Sequence, residues 1–210
     1  MKNRTNPWNE ISLDDYENHM RLESVKQLQT MNEMIKSQLE TYNTETAMIF
    51  GIAGGNGLEY VSREKYRTVY GVDINEKYLQ KVAERYSDLS GVLECLNIDL
   101  INESDKLPHA QLVIADLLIE YIGYSAFQKA ILHVAPEYVS CVIQINTDKE
   151  DWVSDSPYLH SFDGLDEIHL QMDEYELVSA MEKIDYSLIF KASVPLPNRK
   201  AFLRLDFKNN

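Results

Sequence analysis

The sequence predicts an α/β fold: a doubly wound, mostly parallel sheet that ends in an antiparallel hairpin, with an N-terminal helical extension. Three observations predict it. Apolar strand-like runs alternate with helix-like segments from Met48 onward. A glycine-rich turn, Gly51-Ile-Ala-Gly-Gly-Asn-Gly57, follows the first of those runs. The last two strand-like runs, YSLIFKASV and AFLRLDF, are separated only by Pro195-Leu-Pro-Asn-Arg-Lys200. That link is too short for a crossover helix, so the two runs must pair antiparallel to each other.

Each element follows from local pattern. Residues 1–20 are polar with scattered anchors, among them Trp8, Tyr16, His19 and Met20. From Leu22 to Tyr42 the residues Val25, Leu28, Met31, Ile35 and Leu39 recur at helical spacing, which predicts an amphipathic helix ending near Asn43. Strands are expected at Met48–Ile52, Thr68–Val72, Gly91–Asn97, Leu112–Ala115 and Val139–Ile145. Helices are expected between them at Leu58–Lys65, Glu76–Tyr86 and Tyr124–Val134. Several strands are apolar on both faces, as in a parallel sheet covered on both sides. Asp173 with Glu176 three residues later has capping-box spacing and opens a further helix. Residues 1–44 therefore form an arm and helix of the same domain, and residues 45–210 form the α/β domain.

Composition narrows the function. The chain has 210 residues, enough for one domain with a sizeable core. No apolar run reaches the ~20 residues that span a bilayer, and the polar start MKNRTNPWNE lacks the apolar centre of a secretory signal. Cys95 and Cys141 sit inside apolar runs and read as buried thiols in a reducing compartment, which places the protein in the cytoplasm. Net charge is −14, with twelve acidic and two basic residues between Asp148 and Asp185. Such a surface repels a phosphate backbone, so nucleic acid is a poor partner and a small-molecule acceptor a better one; no membrane partner is expected. The histidines have no metal-ligand spacing, so no metal site is expected.

The chemistry-bearing residues fall at strand ends. Small residues at Gly51, Ala53, Gly55 and Gly57 let the backbone turn sharply and approach a ligand, with the next helix pointing its free N–H groups at it. Asp73 closes the second strand, sixteen residues after Gly57, with Ile74 beside it; a carboxylate there can accept hydrogen bonds from both hydroxyls of a ribose. Asp99 closes the third strand and Leu100 follows, a pair suited to an exocyclic amine and the ring that bears it. Asp116 closes the fourth strand, at the edge where a reacting group sits in an open α/β sheet. Glu120 and Tyr121 follow it, and Tyr16 and His19 share the segment DYENHM; these four are the candidates for a general base or an orienting group.

Over residues 45–207 this arrangement resembles a class I S-adenosylmethionine-dependent methyltransferase. By that resemblance Ala53-Gly-Gly-Asn-Gly57 matches the loop that holds the methionine part of S-adenosylmethionine. Asp73 matches the ribose acid, Asp99 the adenine contact and Asp116 the fourth-strand position. The terminal hairpin would complete a seven-stranded sheet. Two positions depart from the family pattern: Gly51 stands where an acidic residue is usual, and Ala53 stands at the first glycine. A group from the N-terminal arm is expected to replace the missing acid. The same residues also suit a nicotinamide- or nucleotide-binding oxidoreductase, or a non-catalytic cofactor-binding module of the same fold.

Overall fold

The computed structural model describes residues 6–146, 153–197 and 199–210. The start of the arm, the head of the acidic stretch at 147–152, and Asn198 in the hairpin link lie outside the described residues. Seven strands form one sheet: β1 (Thr46–Phe50), β2 (Thr68–Asp73), β3 (Leu93–Asn97), β4 (Leu112–Asp116), β5 (Tyr138–Asn146), β6 (Tyr186–Leu196) and β7 (Lys200–Asn209). Their order is β3-β2-β1-β4-β5-β7-β6. The first five are parallel; β7 is antiparallel to both β5 and β6. The order in which strands are added reverses between β1 and β4, and the carboxyl ends flanking that point are where ligands bind in such sheets.

The helices are α1 (Leu13–Arg21), α2 (Gln27–Thr41), α3 (Glu76–Arg85), α4 (Ile119–Val134) and α5 (Glu174–Glu182). Strand alternation sends side chains to two cores. Met48 and Phe50 face α4 and α5, packing with Phe127, Ile131, Leu177 and Met181. Ala47 and Ile49 face α2 and α3, packing with Met31, Ile35, Leu39 and Val82. A third, smaller cluster of Ile11, Phe162 and Leu165, with Trp8, Tyr16 and Tyr121 against it, lies between the arm and the 3-10 segment Leu159–Glu167.

Four expectations need correction. No α-helix follows the glycine-rich loop: Leu58–Tyr60 makes a single 3-10 turn, and the chain reaches β2 at Thr68. Only ten residues separate Gly57 from that strand, and α2, which precedes β1, already covers this face: a Cβ on Gly57 would meet Ile35 Cγ2 at 2.5 Å. The helix expected over Leu22–Tyr42 starts at Gln27, and a separate α1 precedes it, because Lys26 adopts φ +55 and breaks the run. The helix expected from Tyr124 begins at Ile119, but Gly123, at φ +76 and ψ 162, interrupts it at the expected place. Cys141 is buried, whereas Cys95 is only half-buried, since β3 is an edge strand. Asp173 does cap α5, accepting from the amides of Tyr175 and Glu176.

Candidate functional site

Asp73 is held by the loop it faces. Its Oδ2 accepts from the amide of Ala53 at 2.9 Å and its Oδ1 from the amide of Asn75 at 2.8 Å. Burial raises the carboxyl to about 6, against the amides of Asn75, Ala53 and Ile74, which favour its charged form. The helix cap that Asp73 could have supplied is supplied by Asn75 instead, whose Oδ1 accepts from Lys77 and Tyr78. The carboxylate is thus left facing a cleft of about 690 Å3. Gly51 and Ala53 form one wall of it, with φ +68 and +47. Ile74, Ile98, Leu100 and Ile101 form an apolar slot on another side. Asp99 lines the slot while its own oxygens accept from Ile101 N and Asn102 Nδ2, at 2.9 and 2.7 Å.

Gly55 and Gly57 do not line the cleft. A Cβ on Gly55 would meet Tyr86 Cε2 at 2.7 Å and Leu58 Cδ1 at 2.9 Å. Around these two glycines the loop packs closely against the protein's own side chains. With no α-helix after the loop, no helix N-terminus points at the cleft from there either.

Asp116 sits on a different kind of support. Gln38 of α2 donates to its Oδ1 at 2.8 Å, and its Oδ2 is buried with no hydrogen-bond partner among the described residues. Burial raises this carboxyl to about 7, despite the Gln38 hydrogen bond and the Arg204 charge. Gln38 also donates to Ser140 Oγ at 2.9 Å, and Ser140 donates to Asp206, which Arg204 clamps through two nitrogens. Leu117, next in the chain, adopts φ +51, a left-handed conformation that costs a side-chain-bearing residue ~1–3 kcal/mol and concentrates at functional sites.

Glu120 and Tyr121 open α4. Glu120 is 4% exposed, its Oε2 has no hydrogen-bond partner among the described residues, and burial followed by the nearby Asp116 raises it to about 8. It lines a second chamber of about 540 Å3 with His19, Gln27, Ser154, Tyr121 and His169. His19 Nδ1 lies 2.8 Å from Ser156 Oγ. Burial, then the charge of Lys200, pushes His19 down to about 4, so its imidazole is neutral. His169 is pushed down to about 4 as well, by burial first.

Tyr16 joins the parts. Together with Leu117 it lines the cleft, the second chamber, and a third cavity bounded by Gly51, Ala53, Gly54 and Glu17. Burial, followed by the charges of Asp73, Glu120, Glu17 and Asp116, holds its phenol well above the ordinary value. The arm brings Tyr16 there. Trp8 O accepts from Asn75 Nδ2 and Ile11 O from the Tyr78 hydroxyl, both of α3 or its cap. On the other side Ser161 donates to Asp15.

The structure therefore brings Gly51, Ala53, Asp73, Ile74, Asp99, Leu100, Asp116, Tyr16 and Tyr121 to one cleft, and Glu120 and His19 to the adjoining chamber. Sequence reasoning missed Gln38, Leu117 and Glu17. Gln38 carried a signal: it falls on the apolar stripe of α2, between Ile35 and Leu39, and is fully buried.

No family model matches the chain, and no curated protein matches it in sequence. Solved structures do. Magnesium protoporphyrin IX methyltransferase from Synechocystis PCC 6803 with bound SAM superposes with a TM-score of 0.66 at 11% identity, covering 100% of both chains. N-methyltransferase NodS from Bradyrhizobium japonicum WM9, in complex with S-adenosyl-L-homocysteine, gives 0.64 at 10% identity over 98% of this chain and 99% of that one. The [4+2]-cyclase SpnF gives 0.65 at 9% identity over 86% and 80%. The mostly parallel seven-stranded sheet, closed by β7 between β5 and β6, is the fold of the class I S-adenosylmethionine-dependent methyltransferases.

Proposed function

We propose that this chain transfers a methyl group from S-adenosylmethionine to a small-molecule acceptor. One observation carries the reading: three cavities meet at Tyr16 and Leu117, on the carboxyl edge of the parallel strands. The cleft suits adenosine. Asp73 has lone pairs left for the two ribose hydroxyls, and the slot of Ile74, Ile98, Leu100 and Ile101 suits a flat ring. The orphaned Oδ2 of Asp116 suits the cationic part of the ligand, which a buried carboxylate would pair with. The third cavity suits the amino-acid end. There Glu17 of α1, clamped by Arg85 at 2.6 and 3.2 Å, reaches the loop at Gly54 and stands in for the acid that Gly51 lacks.

When bound, S-adenosylmethionine supplies a methyl group already activated on a sulfonium. The residues of the chain then have to align an acceptor in the second chamber and keep water out. The chamber lies under the arm, lined by Trp8, Tyr16 and His19, and a net charge of −14 opposes a polyanion. Calorimetry tests the reading. S-adenosylhomocysteine should bind and NAD should not; binding of NAD alone would favour an oxidoreductase. Binding of neither would favour a non-catalytic module, the reading that the missing acid at Gly51 supports.

A further inference from the structure

We propose that the second chamber takes an amine, and that Glu120 pairs with its ammonium and receives its proton. The inference rests on the methyl-transfer reading and deepens it. Glu120 is 4% exposed and lines the chamber, and its Oε2 has no hydrogen-bond partner among the described residues. An unpaired buried carboxyl is costly, and a cationic donor relieves that cost most fully.

The surrounding groups agree. On its own element Glu120 has Tyr121, whose phenol is held well above its ordinary value and stays neutral. From β4 it feels Asp116, a second acid with an orphaned oxygen. From α1 come Tyr16 and His19, and from the segment after the 3-10 helix comes His169; all three are neutral near pH 7. Lys200 of β7 is a cation on this side, and its charge bears on His19 and His169 while its Nζ donates to Ser154 at 3.2 Å. The charge that bears on Glu120 is that of Asp116, which is negative. Burial holds both acids toward their neutral forms, and an entering cation favours their charged ones.

The chemistry balances. An incoming ammonium displaces the proton of the Glu120 carboxyl to solvent and forms an ion pair. One N–H proton then passes to the carboxylate, freeing the nitrogen lone pair. That pair forms the new nitrogen–carbon bond as the carbon–sulfur bond breaks, and its electrons stay on sulfur, which becomes a neutral thioether. Glu120 keeps the proton until the methylated ammonium leaves.

Sinefungin is the probe, because it carries a C–NH3+ group where S-adenosylmethionine carries its methyl sulfonium. Calorimetry should find it bound about tenfold or more tighter than S-adenosylhomocysteine, the scale of a hydrogen bond to a charged group. Across buffers of different ionisation heat it should also release more protons on binding. Glu120→Gln, which is isosteric, should shrink both differences to what Asp116 alone supplies and keep the affinity for S-adenosylhomocysteine, which also reports that the variant is folded. Equal or weaker binding of sinefungin by the wild type overturns the amine proposal. Differences undiminished in Glu120→Gln overturn the role of Glu120. Failure of both ligands to bind the wild type overturns the methyl-transfer reading itself.

Discussion

Gln38 and Asp116 are 78 positions apart in the chain and 2.8 Å apart in space, joined by a hydrogen bond from the α2 amide to a carboxylate at the tip of β4. The same Gln38 nitrogen donates to Ser140, so one side chain ties the site to the buried Asp206–Arg204 pair. Gln38→Leu should destabilise the protein by about 1–3 kcal/mol, the cost of leaving buried acceptors unmade. The loss should be larger at pH 8 than at pH 5, because the hydrogen bond favours the charged form of Asp116. Urea unfolding at the two pH values measures it, and equal losses at both would detach Gln38 from the ionisation of Asp116.

The unliganded protein should lose stability at these carboxyls as pH rises. Asp73, Asp116 and Glu120 are raised to about 6, 7 and 8 from ordinary values of 3.8, 3.8 and 4.5. Between its unfolded and folded values each group binds its proton more tightly in the native state. It therefore lowers stability with a slope of about 1.4 kcal/mol per pH unit. Asp116→Asn should flatten the unfolding profile between pH 4 and 7, and Glu120→Gln should flatten it between pH 4.5 and 8. A profile unchanged by both substitutions would show that neither group titrates as its surroundings dictate.

Replacing Asp73 should weaken ligand binding and loosen the loop together. Asp73→Ala removes the acceptor of the Ala53 amide as well as the proposed ribose contact. S-adenosylhomocysteine should bind about 10- to 150-fold more weakly, equivalent to ~1.5–3 kcal/mol. The measurement is calorimetric, with circular dichroism to confirm the sheet. Unchanged affinity would remove Asp73 from the site.

The arm bridges two parts of the molecule. Asp14 pairs with Lys81 and Glu17 with Arg85 on α3, while Asp15 and His19 meet Ser161 and Ser156 across the chamber. Neither main core contains a residue that precedes Met31. Deleting residues 1–20 should leave a cooperatively folded sheet with methyl transfer largely lost, and S-adenosylhomocysteine should slow tryptic cleavage at Arg21 in the full chain. Equal cleavage with and without ligand, and full activity of the shortened chain, would make the arm an ordinary terminus.

The seven strands and the reversal at β7 were legible because alternation, run length and a link too short for a helix are local signals. Asp73 and Asp116 were legible as strand ends for the same reason, since a strand end is read from the run before it; Asp99 instead lies two residues past β3, where its oxygens accept from Ile101 and Asn102. What stayed hidden depends on distant packing. That Gly55 serves Tyr86 and Leu58, and Gly57 serves Ile35, follows from how α2 and α3 dock on β1. The missing helix after the loop is likewise a tertiary outcome: α2 takes the surface that Leu58–Lys65 would have covered. Glu17 could not be placed at Gly54 without knowing that α1 folds back over the loop.

The position of β7 also governs when the molecule can close during its synthesis. β5 and β6 are both complete by Leu196, yet they do not pair with each other; β7 stands between them and pairs with both. It is deeply buried, with Phe202, Leu205, Asp206 and Phe207 at 0% exposure. A nascent chain that has completed β6 but not β7 presents two unpaired strand edges and an open apolar seam, the features that invite association with other chains. The half of the sheet around β1, β2, β3 and β4 can assemble on the ribosome as it emerges, whereas the half that buries Arg204 and Asp206 must wait for the last strand.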